Sequence, residues 1–279
     1  MGGVAFYFRG MGIVKLQKMG LRFMLGMPVA FLMTFGMIGI GCASSGGKTK
    51  EYTNTEKARM LVEIANGSLV EGDPTGALQN IFKAERFDSS LPELYHTKAL
   101  ALFAKRDLIS AVEAARKAVK MQPNFSDASN TLGKLLLDLG KYDEAVGPLT
   151  RAANDPLYRE TYKSWTNLGI LKYKTGEYIQ SEVFLNRAIQ ESPSNACVAY
   201  FFRGQIKDKD FRLDEAIADY GEATKRQCSR FGDAKLALGM SYQKSKQYEE
   251  ARKTFLEIQK LYPNTKLAEN AIHQLRNLP

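Results

Sequence analysis

The sequence predicts an all-α protein, a right-handed superhelical solenoid of about six helical hairpins closed by a C-terminal capping helix. Three observations carry this expectation. An ordered pattern of large and small residues returns about every 34 positions. Asn167, Leu168, Gly169, Tyr178, Leu185, Ala188 and Pro193 have counterparts in Leu132, Gly133, Tyr142, Leu149, Ala152 and Pro156, and again in Leu238, Gly239, Tyr248, Phe255 and Pro263. Prolines at 92, 123, 193 and 263 fall where one hairpin must stop before the next begins. The last residues, with Leu267, Ala268, Ala271, Ile272 and Leu275 at helical spacing, fit a helix that covers the open end of the stack.

Residues 1–41 read as a secretory leader. Arg9, Lys15, Lys18 and Arg22 precede an apolar run from Phe23 to Ile40. Small residues and Cys42 follow, an order similar to a bacterial lipoprotein signal, in which the thiol is acylated and the chain is cut before it. Met11 and Met19 are alternative starts. The competing reading is an uncleaved membrane span, which Pro28 and the glycines of the run weaken. Residues 42–55 then form the lipidated cysteine and a polar tether. Ala43 after the cysteine differs from the aspartate that retains such proteins at the inner membrane, so this resemblance implies the outer membrane. Gly46-Gly47-Lys48-Thr49 resembles a phosphate loop only superficially, because Cys42 stands where its first glycine is needed.

Six repeats occupy residues 56–265, with the capping helix at 266–279. Each repeat has an A and a B helix. Small residues on A (Ala65, Ala99, Gly133, Gly169, Gly204, Gly239) allow close crossing by B, whose large residues (Ile81, Leu149, Leu185, Tyr220, Phe255) fill the space between. Ala115 is the exception. Pro74 begins a B helix behind the cap Asp73. Pro148 lies inside a B helix and should kink it, and the lengthened stretch 155–160 predicts an irregular joint between repeats three and four. This pattern is the signature of the tetratricopeptide repeat, a scaffold that holds other proteins.

The chain carries 39 basic and 30 acidic residues, a net charge of +9. Without the four basic residues of the leader, 35 remain against 30, a net +5. That mild, scattered excess argues against nucleic acid as a partner. No cluster has metal-ligand spacing and no nucleophile has a paired base, so neither catalysis nor a cofactor is expected. Binding is expected instead on the inner face of the A helices. Its candidates are Val62, Asn66, Leu69, His96, Leu100, Phe103, Asn130, Lys134, Leu137, Ile170, Tyr173 and Phe201, with Thr166, Gln205, Leu236, Met240 and Gln243 in the same register. A mostly apolar trough of this kind suits an amphipathic or extended segment of a partner. The competing reading is that some of these side chains only pack on neighbouring repeats. His96 reads as a hydrogen-bonding contact. Cys197 opens the A helix of repeat five and Cys228 ends its B helix; antiparallel helices bring those ends together, which predicts a disulfide in an oxidising periplasm and two buried thiols otherwise.

The lipobox-like Cys42, the six repeats with a terminal helix, the joint Asp155-Pro156-Leu157-Tyr158 leading into Ser164-Trp165-Thr166-Asn167-Leu168-Gly169, and the cysteine pair together resemble the tetratricopeptide lipoproteins of type IV pilus biogenesis, often called pilotins. That resemblance implies a monomeric adaptor, lipid-anchored on the periplasmic face of the outer membrane, that binds the secretin subunit and assists its localisation and assembly. The alternative is a general periplasmic scaffold for cell-wall or other envelope complexes.

Overall fold

A computed structural model of the chain describes residues 51–279. The leader, Cys42 and residues 43–50 of the tether lie outside the described residues. The described chain contains thirteen α-helices and no strand. Six hairpins follow in order: α1 (Asn54–Val70) with α2 (Pro74–Phe87), α3 (Pro92–Ala104) with α4 (Leu108–Met121), α5 (Ser126–Asp138) with α6 (Tyr142–Ala153), α7 (Thr161–Lys174) with α8 (Tyr178–Glu191), α9 (Cys197–Lys209) with α10 (Leu213–Glu222), and α11 (Gly232–Lys244) with α12 (Tyr248–Leu261). The single helix α13 (Lys266–Arg276) ends the stack.

Each A helix stops in the same way. The residue after its cap takes a positive φ: Gly72, Arg106, Gly140, Gly176, Phe211 and Lys246. The next amide reaches back five residues, as from Asp107 to the Leu102 carbonyl and from Arg212 to the Lys207 carbonyl, both at 2.9–3.0 Å. This is a Schellman closure, and glycine fills its left-handed position most readily. Asp73 and Asp107 then cap α2 and α4 by accepting from the amides of Gly76 and Ser110.

Within a hairpin, a glycine on A faces a large side chain on B. A Cβ at Gly133, Gly169 or Gly239 would come within 2.4, 2.6 or 2.5 Å of Leu149, Leu185 or Phe255. Those three large side chains are fully buried. Between hairpins, each B helix packs on the following A helix, and A helices also pack on one another: α1 on α3, α3 on α5, α5 on α7 and α7 on α9. B helices make no comparable direct packing with the next B helix. The A row is therefore the tighter one, and the stack curves around it.

Two joints depart from the regular spacing. Residues 154–160 form the long link between α6 and α7, in the region where the sequence predicts irregularity. α6 itself runs through Pro148 as one helix; the proline removes only the amide that Glu144 would have accepted, and Glu144 is exposed. The second joint lies between α10 and α11. Here α10 is short, a 3-10 turn (Arg226–Cys228) intervenes, and the direct packing of α9 on α11 is thin. Cys228 thus sits in this turn and not at the end of the B helix, as sequence spacing implied, because α10 already ends at Glu222.

Candidate protein-binding face

The A helices present one continuous face, but five of the twelve candidate groove residues do not open onto it. Val62, Asn130, Leu137, Ile170 and Phe201 are buried. Their places are set by packing between repeats. The Asn130 side-chain oxygen accepts from Ser164 Oγ and Asn167 Nδ2, each at 3.0 Å, and so ties α5 to α7. Phe201 stacks among Phe202, Tyr220 and Phe231 at centroid distances of 5.0–6.0 Å. An A helix that touches an A helix on either side must spend part of its inner face on those neighbours. The open face is accordingly narrower than a sequence register draws it: Asn66, Leu69, His96, Leu100, Phe103, Lys134 and Tyr173 remain wholly or partly accessible.

These residues are held by cross-repeat contacts. Thr97 Oγ1 donates to Asn66 Oδ1 at 3.0 Å, joining α3 to α1. His96 Nε2 lies 3.0 Å from Thr131 Oγ1 on α5, and its ring meets the Phe125 ring edge-on at 5.1 Å. Desolvation pulls the His96 pKa down to about 4, so the imidazole is neutral near pH 7. Lys134 Nζ stands 4.4 Å from the Phe103 ring centroid and pairs with Asp138 at 2.6 Å. Further along, Tyr173 packs edge-on against Phe202 at 5.2 Å. The face is apolar at Leu69, Leu100 and Phe103, with an amide, a neutral imidazole and an ammonium at its borders. Such an arrangement can take the apolar side of a helix or an extended segment and fix its direction by a few hydrogen bonds.

Thr97, Thr131 and Phe125 were not among the candidates, although they orient Asn66 and His96. Their only sequence signal is the offset of about one repeat, 31 residues for Asn66–Thr97 and 35 for His96–Thr131. Near the second irregular joint, Cys197 and Cys228 are bonded, with their Cα atoms 5.5 Å apart. A buried charge cluster crosses α9 and α10. Arg203 Nε lies 2.8 Å from Asp219 Oδ2, and Lys207 Nζ lies 2.9 Å from the same oxygen. Arg203 and Asp219 also line an open cleft of about 480 Å³ with Tyr200, Leu238 and Tyr242. Among the described residues, no group of histidine, cysteine and carboxylate side chains is placed to hold a metal ion, and no helix is long and apolar enough to cross a membrane.

Fold and face together define a tetratricopeptide-repeat array, and residues 96–159, 162–195 and 233–265 each match the tetratricopeptide repeat. The chain is related at low identity to the type IV pilus assembly protein PilF of Pseudomonas aeruginosa, with 24% identity over 174 residues, 61% of this chain and 68% of PilF. The solved structure of Pseudomonas aeruginosa PilF superposes with a TM-score of 0.66 at 18% identity, over 79% of this chain and 99% of that one. PilW, described as a widely conserved type IV pilus biogenesis factor, superposes at 0.67 with 19% identity, over 77% and 98%. At these identities the two structures establish a shared fold.

Proposed function

We propose that this chain is a periplasmic adaptor, lipid-anchored through Cys42, that binds the secretin subunit of a type IV pilus system and assists its delivery to and assembly in the outer membrane. One observation carries the reading: the relationship to a type IV pilus assembly protein spans 174 residues and more than half of this chain. The accessible apolar strip at Leu69, Leu100 and Phe103 supplies a surface for a hydrophobic segment of the secretin monomer. The anchor holds the array beside its destination, because more than one acyl chain, at about 0.8 kcal/mol per buried CH2, gives lasting attachment.

The test is capture of the secretin subunit by the full chain and by a Leu100→Asp, Phe103→Asp double variant whose helical circular dichroism is unchanged. Capture should fall at least tenfold, since two buried apolar contacts of roughly 1.5–3 kcal/mol each are replaced by charges. Undiminished capture by the folded variant rejects this face. A palmitate analogue should label the wild type and not Cys42→Ser. Recovery of a cell-wall synthase or hydrolase in place of secretin would make the protein a scaffold of another envelope complex.

A further inference from the structure

The repeat that carries the disulfide departs from its neighbours in two ways. The first is its core. Arg203 and Lys207 of α9 stand where α5 has Leu132 and Leu136 and α11 has Leu238 and Tyr242. The seam of α9 with α10 is therefore closed by Asp219 between two cations. Such a seam gains less from burial than an apolar one, because opening returns water to ions that folding stripped of it. The cleft lined by Arg203 and Asp219 already exposes one side of this seam to solvent. The second departure is length. α10 has 10 residues where the other B helices have 12 to 14. Its packing is on α9 and α11. When α11 lifts away, α10 keeps α9 alone, held across the charged seam.

Both ends of α10 are anchored. Before it, Arg212 donates to Glu182 of α8 at 3.0 Å. Beyond it, Cys228 is bonded to Cys197, the first residue of α9. Phe231 also touches Phe201, with ring centroids 5.0 Å apart, but it caps α11 and leaves with that helix.

We propose that the Cys197–Cys228 bond is a redox-sensitive latch, which decides whether opening of the last hairpin stops at residue 228 or takes α10 with it. With the bond closed, a loosened α10 is a loop pinned at both ends and gains little conformational entropy. With the bond open, everything beyond Arg212 becomes a free tail. The rigid stack then ends at α9, which still packs on α7 and α8. The strip at Leu69, Leu100 and Phe103 is untouched, so the latch is independent of that face. A dithiol is the class of reductant that opens it. One of its thiolates attacks the sulfur of Cys197, the more exposed of the two cysteines. A mixed disulfide forms, and Cys228 leaves and takes up a proton. The second thiol then attacks the mixed disulfide, closes the reductant into its own disulfide and releases Cys197 as a thiol.

The test is amide exchange of the full chain, read peptide by peptide by mass spectrometry before and after reduction with dithiothreitol. In the oxidised protein, exchange should be fast in α11–α13 and slow in α10. Reduction should speed α10 about 100-fold and leave α5 and α7 unchanged. Cys197→Ser with Cys228→Ser, in the absence of reductant, should match the reduced wild type. Arg203→Leu, Lys207→Leu and Asp219→Leu together make the seam apolar, and α10 of this variant should stay slow after reduction. An α10 that ignores reduction in the wild type overturns the proposal. Acceleration spread evenly over the whole stack overturns it as well, and makes the bond a global stabiliser. An α10 that opens equally in the triple leucine variant overturns the part given to the charged seam.

Discussion

Gly169 on α7 and Leu185 on α8 are locked face to face. A methyl group at 169 would lie 2.6 Å from both Cγ and Cδ2 of a leucine that is fully buried. Gly169→Ala should therefore destabilise the protein by about 1–3 kcal/mol, although alanine is the better helix former. Gly67, inside α1, has nothing within 4 Å of its missing Cβ. Gly67→Ala should stabilise by roughly 0.5–1 kcal/mol. Urea denaturation of the two variants reads both signs, and equal effects would refute the assignment of close packing to Gly169.

Asp219 balances two cations that are themselves mostly buried. Its replacement by asparagine leaves Arg203 without its carboxylate and Lys207 with only the exposed Glu215 at 3.4 Å. The expected loss is about 3–5 kcal/mol, the range for breaking a buried pair from one side. Asp210, in the exposed turn, pairs with Arg212 at 3.4 Å, and Asp210→Asn should cost well under about 1 kcal/mol. Thermal melting of both variants checks the contrast.

The disulfide closes a loop between residues 31 apart. In the chain-entropy account, reduction or Cys228→Ser should cost about 3–4 kcal/mol. Thiol counting under denaturing conditions should find neither Cys197 nor Cys228 free before reduction and both free afterwards. Two free thiols in oxidised protein would contradict the bond.

His96 links pH to the groove. Its folded pKa, about 4, lies below the usual 6.5. The neutral form is the one the fold accepts, so its contribution is complete above pH 6.5 and is lost as pH falls from there through about 4. The full loss is about 3 kcal/mol at most. NMR titration of the His96 ring should give a midpoint near 4; a midpoint near 6.5 would show the imidazole to be solvated.

The helical hairpins were legible because their signal is steric and periodic. Gly133, Gly169, Gly204 and Gly239 mark crossings, and Pro92 and Pro193 mark joints, whatever the partner is. The accessible face was harder to read. A register distinguishes the inner side of a helix from the outer side, but not the part of the inner side that a neighbouring A helix covers. Asn130 shows the difficulty: its polarity suits a groove, yet it is spent on Ser164 and Asn167. The turn of Cys228 was also hidden, since α10 shortens without any proline to mark the stop. Phe211 carries no periodic signal, because its peculiarity lies in a backbone angle.

The apolar interior is divided among three clusters, and the last is small: Ala251, Phe255, Ile258 and Ala271, with partly buried neighbours. The thin meeting of α9 and α11 lies just before it. Cooperativity in a stacked chain passes through the meetings between neighbouring hairpins, and here it rests on the packing of α10 against α11, with little from α9. The final hairpin and α13 should accordingly open and reclose as a unit while the preceding five stay shut, with faster amide exchange there than in α5 or α7. The last seam of the stack thus has one row of helix contacts where the earlier seams have two.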